Sequence, residues 1–139
     1  MNFSRRDLAL LLPALAAAQT PQTLPAKTYS FSDLPERTSA SGTIKSRAVF
    51  NGSTTRGQRI TAHFSELAPG QAPHPPERQE HEEIILLREG TLEVTLNGVT
   101  STIGPGAVIF VPYETLAGWK NVGTAVAQYF VVGIEERTA

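Results

Sequence analysis

The chain of 139 residues contains no cysteine. That absence excludes disulfides, thiolate metal sites, cysteine nucleophiles and a lipoprotein anchor. Charge is balanced: the formal net charge is −1, with no long run of either sign. A nucleic-acid partner would need a basic face, so none is expected. Neither a Gly-x-Ser-x-Gly nucleophile elbow nor a glycine-rich phosphate loop before a helix is present. Long apolar runs are missing as well. The run from Leu8 to Ala18 is broken by Pro13 and is too short to span a bilayer. Beyond it, no stretch reads as a helix.

The N-terminus reads as a targeting signal. Ser4-Arg5-Arg6-Asp7-Leu8 precedes that apolar run, and Ala16-Ala17-Ala18 offers the small residues of a cleavage site. Residues 1–18 are therefore expected to be an export signal of twin-arginine type, cut before Gln19. An ordinary secretory signal with two basic residues is the alternative. Either route places the mature chain in the periplasm or outside the cell, with no stable membrane span after cleavage. Residues 19–41 are rich in Pro, Thr and Ser and read as a linker or arm, with Thr28–Phe31 a short edge strand.

From Gly42 to Ile134 the pattern is all-β. Strand composition marks Ile44–Phe50, with a turn at Asn51-Gly52. Arg59–Leu67 alternates, setting Ile60, Ala62 and Phe64 on one face and Thr61, His63 and Ser65 on the other. Leu92, Val94 and Leu96 alternate up to Asn97-Gly98, the strongest short hairpin signal, and Val99–Ile103 returns. Ala107–Val111 and Ala125–Ile134 are further strands, with Tyr113–Gly123 a loop between them. Residues 135–139 form a charged tail. Many short strands with Gly and Pro turns make a sandwich or barrel in one domain.

Gly70 to Gly90, GQAPHPPERQEHEEIILLREG, gathers two of the three histidines with glutamates and a glutamine ahead of an apolar strand. Gly70, then Glu83, six residues and Gly90 keep the frame of a known motif. Gly106, five residues, Pro112 and Asn121 keep the frame of its companion. These spacings resemble the two motifs of the cupin superfamily. The resemblance covers roughly Ile44 to Gly133. It implies a double-stranded β-helix, a jelly-roll barrel, and pairing into a homodimer. It also implies a metal held by three histidines and one glutamate. Here Glu77, Gln79 and Ala117 stand at the histidine positions and only Glu83 is kept. Glu114 stands where the second motif has glycine.

With the imidazoles gone, the expected cofactor is none, or a weakly held divalent cation on Glu77, Gln79 and Glu83, whose shared parity lets them converge. Such oxygen ligands suit Mg²⁺, Ca²⁺ or Mn²⁺. His63 is expected as a pocket-wall residue. His74 is set at the pocket mouth, and His81 at a solvated tip between two paired strands. Tyr113 and Trp119 lie on the mouth loop, able to stack on a ligand. Two functions remain open. One is a barrel that binds a small polar ligand through Glu77, Gln79 and Glu83. The other is a metal-dependent isomerase, lyase or oxygenase using the same residues.

Overall fold

A strand that alternates at a period of two turns one face toward an interior and the other away. Ten strands, most of them with one face inward, make up a computed structural model of the chain, which describes residues 22–136. In chain order they are β1 (Glu36–Thr38), β2 (Ile44–Ser53), β3 (Arg59–Leu67), β4 (Glu77–Arg78), β5 (Glu82–Glu89), β6 (Leu92–Leu96), β7 (Val99–Ile103), β8 (Val108–Val111), β9 (Leu116–Asn121) and β10 (Ala127–Ile134). Among the described residues there is no α-helix, only a 3-10 turn at Phe31–Asp33. The export signal and the last residues of the tail lie outside the described residues.

The strands form a six-stranded sheet, β1-β2-β3-β10-β5-β8, and a four-stranded sheet, β4-β9-β6-β7. Together they make the all-β jelly roll that the resemblance implied. Between them Ile85, Leu87, Tyr129 and Val131 of the larger sheet pack with Leu92, Val94, Ala117 and Trp119 of the smaller. Each large apolar side chain buried this way stabilises by about 1.5–3 kcal/mol. A surface pair such as Arg47–Glu36, at 2.8 Å, is worth about 1 kcal/mol at most. Interior packing, not surface charge, therefore holds the sheets together. The hairpin forms as its dipeptide requires, with Asn97 at φ 48° and Gly98 at φ 82°.

Three local expectations are corrected. Asn51-Gly52 is not a turn: β2 runs through it, and Gly52 is buried because the arm crosses it. A Cβ there would stand 2.5 Å from the Gln22 carbonyl oxygen, the close backbone approach that favours glycine in a strand. The stretch 113–123 is not all loop, since it contains β9, whose Ala117, Trp119 and Asn121 alternate inward. Within the arm, the edge strand is β1 rather than residues 28–31.

The arm forms a third layer. Its backbone pairs with β2 at Leu24 N to Ser53 O, 2.8 Å, and Ser53 N to Gln22 O, 2.9 Å. Tyr29 then packs on Phe50, and Phe31 stands edge-on to Phe64 at 5.1 Å. Phe64 continues to Phe130 at 4.9 Å. The arm thus covers the outer face of β2, β3 and β10. Consequently β3 turns Phe64 outward to meet the arm and sets Thr61, His63 and Ser65 inward, on the same face as Leu67 of the core. Among the described residues, the other half of the same outer face has no such cover. There Ile84 pairs with Phe110 and Leu86 with Val108. Phe110 is 53 % exposed and Val108 63 %.

Candidate functional site

Register decides what the interior holds. Gly133 lies beside both Thr61 and Glu83, Val131 beside His63 and Ile85, and Tyr129 beside Ser65 and Leu87. Cross-strand neighbours share a face, so Thr61, Glu83, His63, Ser65 and Tyr129 enter the barrel from one wall. From the opposite sheet come Ala117 and Trp119, and Gln79 enters from the segment that follows β4.

Glu83 is the hub. It is 9 % exposed, and its Oε1 meets His81 Nε2 at 3.0 Å. Gly133 makes room for that contact: a Cβ there would lie 3.3 Å from His81 Cδ2 and 2.6 Å from Thr61 Oγ1. Burial lowers the His63 pKa from 6.5, while the charge of Glu83 opposes the shift. Burial likewise raises the Tyr129 pKa. Hydrogen bonding with Trp119 and Ser65 pulls it partly back, and Glu83 pushes it further up. The Trp119 indole N–H lies against the Tyr129 hydroxyl without closing a bond of good geometry, the rings meeting edge-on at 6.1 Å. Near neutral pH the wall therefore presents a neutral imidazole and a protonated phenol.

A pH prediction follows from His63. An unfolded histidine takes up a proton near 6.5, whereas the buried one resists it. Below that pH the unfolded chain binds more protons, so stability falls as pH drops. Urea unfolding at about pH 7.5 and about pH 5 should show a smaller acid loss in His63→Gln than in the native chain. Equal losses would remove His63 from the account.

The residues singled out in the sequence part company in the structure. Gln79, Glu83, His63, Ala117 and Trp119 reach the interior. Glu77 does not: its side chain is 57 % exposed, and its carboxylate sits 3.5 Å from His74 Nδ1. β4 and β5 belong to different sheets rather than pairing, and β4 is a two-residue, exposed edge strand, so Glu77 is left in solvent beside His74 although its cross-strand partner Ala117 is buried. His74 Nδ1 contacts the Pro75 carbonyl oxygen at 2.8 Å, and its ring stands edge-on to Trp119 at 5.7 Å. It lines a groove of about 590 Å³ with Pro73, Gly118 and Lys120. Tyr113 is exposed in a cleft of about 580 Å³ shared with His81.

His81 is a correction of another kind. It is not a free tip but a partly buried partner of Glu83. The His-x-Glu spacing was the available signal, since residues two apart share a strand face. Alternation had already put Ser65 on the face of His63, but Tyr129 carried no local signal, because only long-range register brings it beside Ser65.

The donor set does not fit the metal that the cupin resemblance implies. Glu77 is turned outward, Gln79 is an amide and Ala117 has no donor. Among the described residues, no group of three His, Asp or Glu side chains is placed to hold an ion. What the site does offer is a pair of buried polar atoms without partners. Gln79 Nε2 and Glu83 Oε2 have no hydrogen bond.

Comparison with solved structures places this geometry. KdgF from Halomonas sp. superposes with a TM-score of 0.66 at 16 % identity, over 81 % of this chain and 96 % of that one. The polyketide cyclase RemF from Streptomyces resistomycificus gives 0.60 at 23 % identity, over 83 % of each chain. A sugar phosphate isomerase of the cupin superfamily from Silicibacter pomeroyi gives 0.63 at 16 % identity, over 79 % of this chain and 76 % of that one. At such identities these likenesses carry the fold alone. No curated protein matches the chain. The Cupin_2 family, described as a cupin domain, matches residues 63–133, from the His63 wall through both motifs to Gly133. With the barrel, the two motif frames and that match together, the chain belongs to the Cupin_2 family.

Proposed function

We propose that this is an exported cupin whose barrel binds a small polar ligand. The observation that carries the reading is a pair of unpartnered buried atoms: a donor, Gln79 Nε2, and an acceptor, Glu83 Oε2. A buried polar atom left unpaired costs about 1–3 kcal/mol, and a ligand that pairs it recovers that cost. The enzymatic alternative draws support from one contact, His81 on Glu83 at 3.0 Å, an arrangement able to move a proton.

The bare apolar half of the larger sheet, Ile84, Leu86, Val108 and Phe110, fits a second copy of the chain, giving a homodimer. Phe110→Asp should then halve the mass seen by sedimentation, and an unchanged mass would refute the dimer.

The main experiment uses protein expressed with its own leader. Intact mass should show cleavage before Gln19. Calorimetric titration with polyols, sugars and small hydroxy acids should find a ligand that Glu83→Gln weakens at least about tenfold, the loss of one charged hydrogen bond. Glu77→Gln should leave that affinity within about threefold, the scale of a solvated surface charge. Equal effects of the two variants, or no ligand in any class, would sink the reading.

A further inference from the structure

We propose that the ligand carries a cationic nitrogen close to an oxygen acceptor, as in a small hydroxyalkyl-ammonium or amino-carbonyl compound. The inference rests on the barrel-binding reading above and names the chemistry that the mouth selects.

Two clefts meet at the mouth and share Glu80 and His81. The larger, about 580 Å³, adds Glu82, Glu135, Glu136 and Tyr113. The smaller, about 290 Å³, brings in Glu77, Arg78 and Gln79. Cations at this rim offset only part of its charge. Arg59 Nε pairs with one rim carboxylate, Glu135, at 3.1 Å. Arg78 lines the smaller cleft and points to the Glu114 carbonyl oxygen at 3.0 Å. His74 lies by Glu77, and His81 is held by Glu83. Among the described residues, Glu80, Glu82 and Glu136 form no ion pair. In a chain of net charge −1, this is a local concentration of carboxylates. A cleft lined by one sign of charge draws in the opposite one. Tyr113, exposed on the same cleft, adds an aromatic face of the kind that binds ammonium groups.

A second observation is independent of the carboxylates. Gln79 forms part of the smaller cleft, is 5 % exposed, and its Nε2 has no partner. An amide donor buried to that degree and left open asks for an oxygen on the ligand. The rim asks for a cation and the buried amide for an acceptor. One compact molecule carrying both groups answers both.

The test uses choline, its uncharged isostere 3,3-dimethylbutan-1-ol, tetramethylammonium and glycolate, titrated into the full-length mature protein and followed by amide NMR shifts. Choline should bind at least about tenfold more tightly than the isostere, the scale of one ammonium–aromatic contact. It should weaken between about 10 mM and about 150 mM salt. The triple variant Glu80→Gln, Glu82→Gln, Glu136→Gln, with Glu80 and Glu136 exposed and Glu82 half-buried, should lose that preference. Gln79→Leu should weaken choline but not tetramethylammonium, which has no oxygen. Equal binding of choline and isostere, or a preference for glycolate, overturns the proposal. If glycolate or a polyol binds with sensitivity to Glu83→Gln and choline does not bind, the barrel reading stands and the cationic ligand falls. If choline binds at the rim without sensitivity to Glu83→Gln, the rim stands and the barrel reading falls. No binding of any probe overturns both.

Discussion

Gly90→Ala should destabilise the protein by about 3–5 kcal/mol, whereas Gly106→Ala should cost only about 1 kcal/mol. The two glycines share φ +89°, a left-handed conformation that penalises any side chain. They differ in what a Cβ would meet. At Gly106 nothing lies within 4 Å. At Gly90 the added atom would stand 2.7 Å from Ala127 Cα, 2.9 Å from its Cβ and 3.0 Å from the Val126 carbonyl oxygen. Two of those atoms are backbone and the third is a Cβ fixed to it, at the entry to β10, the strand that bridges β3 and β5, and no rotamer change relieves them. The turn after β5 must then lift away from β10. In calorimetry this corresponds to a fall of about 10–20 °C in melting temperature. Similar losses in the two variants would mean that φ alone governs the site.

Asn121→Leu is the second large effect, expected at about 3–5 kcal/mol. Asn121 is fully buried and acts as a backbone clasp. Its Nδ2 donates to the Leu67 carbonyl oxygen at 2.9 Å and to that of Ala125 at 2.8 Å. Its Oδ1 accepts from Gly123 N at 2.9 Å. Leucine keeps the volume and drops all three bonds, leaving buried backbone groups open at about 1–3 kcal/mol each, partly offset by its own apolar burial. Urea unfolding checks the size. A loss below about 1 kcal/mol would show that water replaces the clasp without penalty.

Both positions stood in the sequence as fixed points of the two motif frames, and the structure supplies the physical reason for each. Gly90 and Asn121 carry constraints written in residue type: one conformation, one set of backbone bonds. The Asn97-Gly98 hairpin is of the same kind. So is Glu114, which stands at the glycine position of the second motif and adopts φ 62°, the conformation that glycine would take without strain. The site was less legible because its members depend on where strands begin and which sheet they join. Starting β5 at Ile84 leaves His81 in a tip; its true start at Glu82 sets His81 against the wall. Counting parity from Glu77 to Glu83 assumes one sheet, and the chain changes sheets between them. Ser65 and Tyr129 meet only through a register that joins distant strands.

Strand β3 bears on how this barrel can change over evolutionary time. Because Phe31 and Tyr29 of the arm give Phe64 and its neighbours an apolar partner outside, the inward face of β3 near the mouth is relieved of holding the fold. Thr61, His63 and Ser65 are free to be traded for other polar groups while the closed end, around Leu67, Leu87 and Leu92, keeps the sheets joined. A barrel divided in this way can lose one set of ligands and acquire another without passing through an unfolded ancestor.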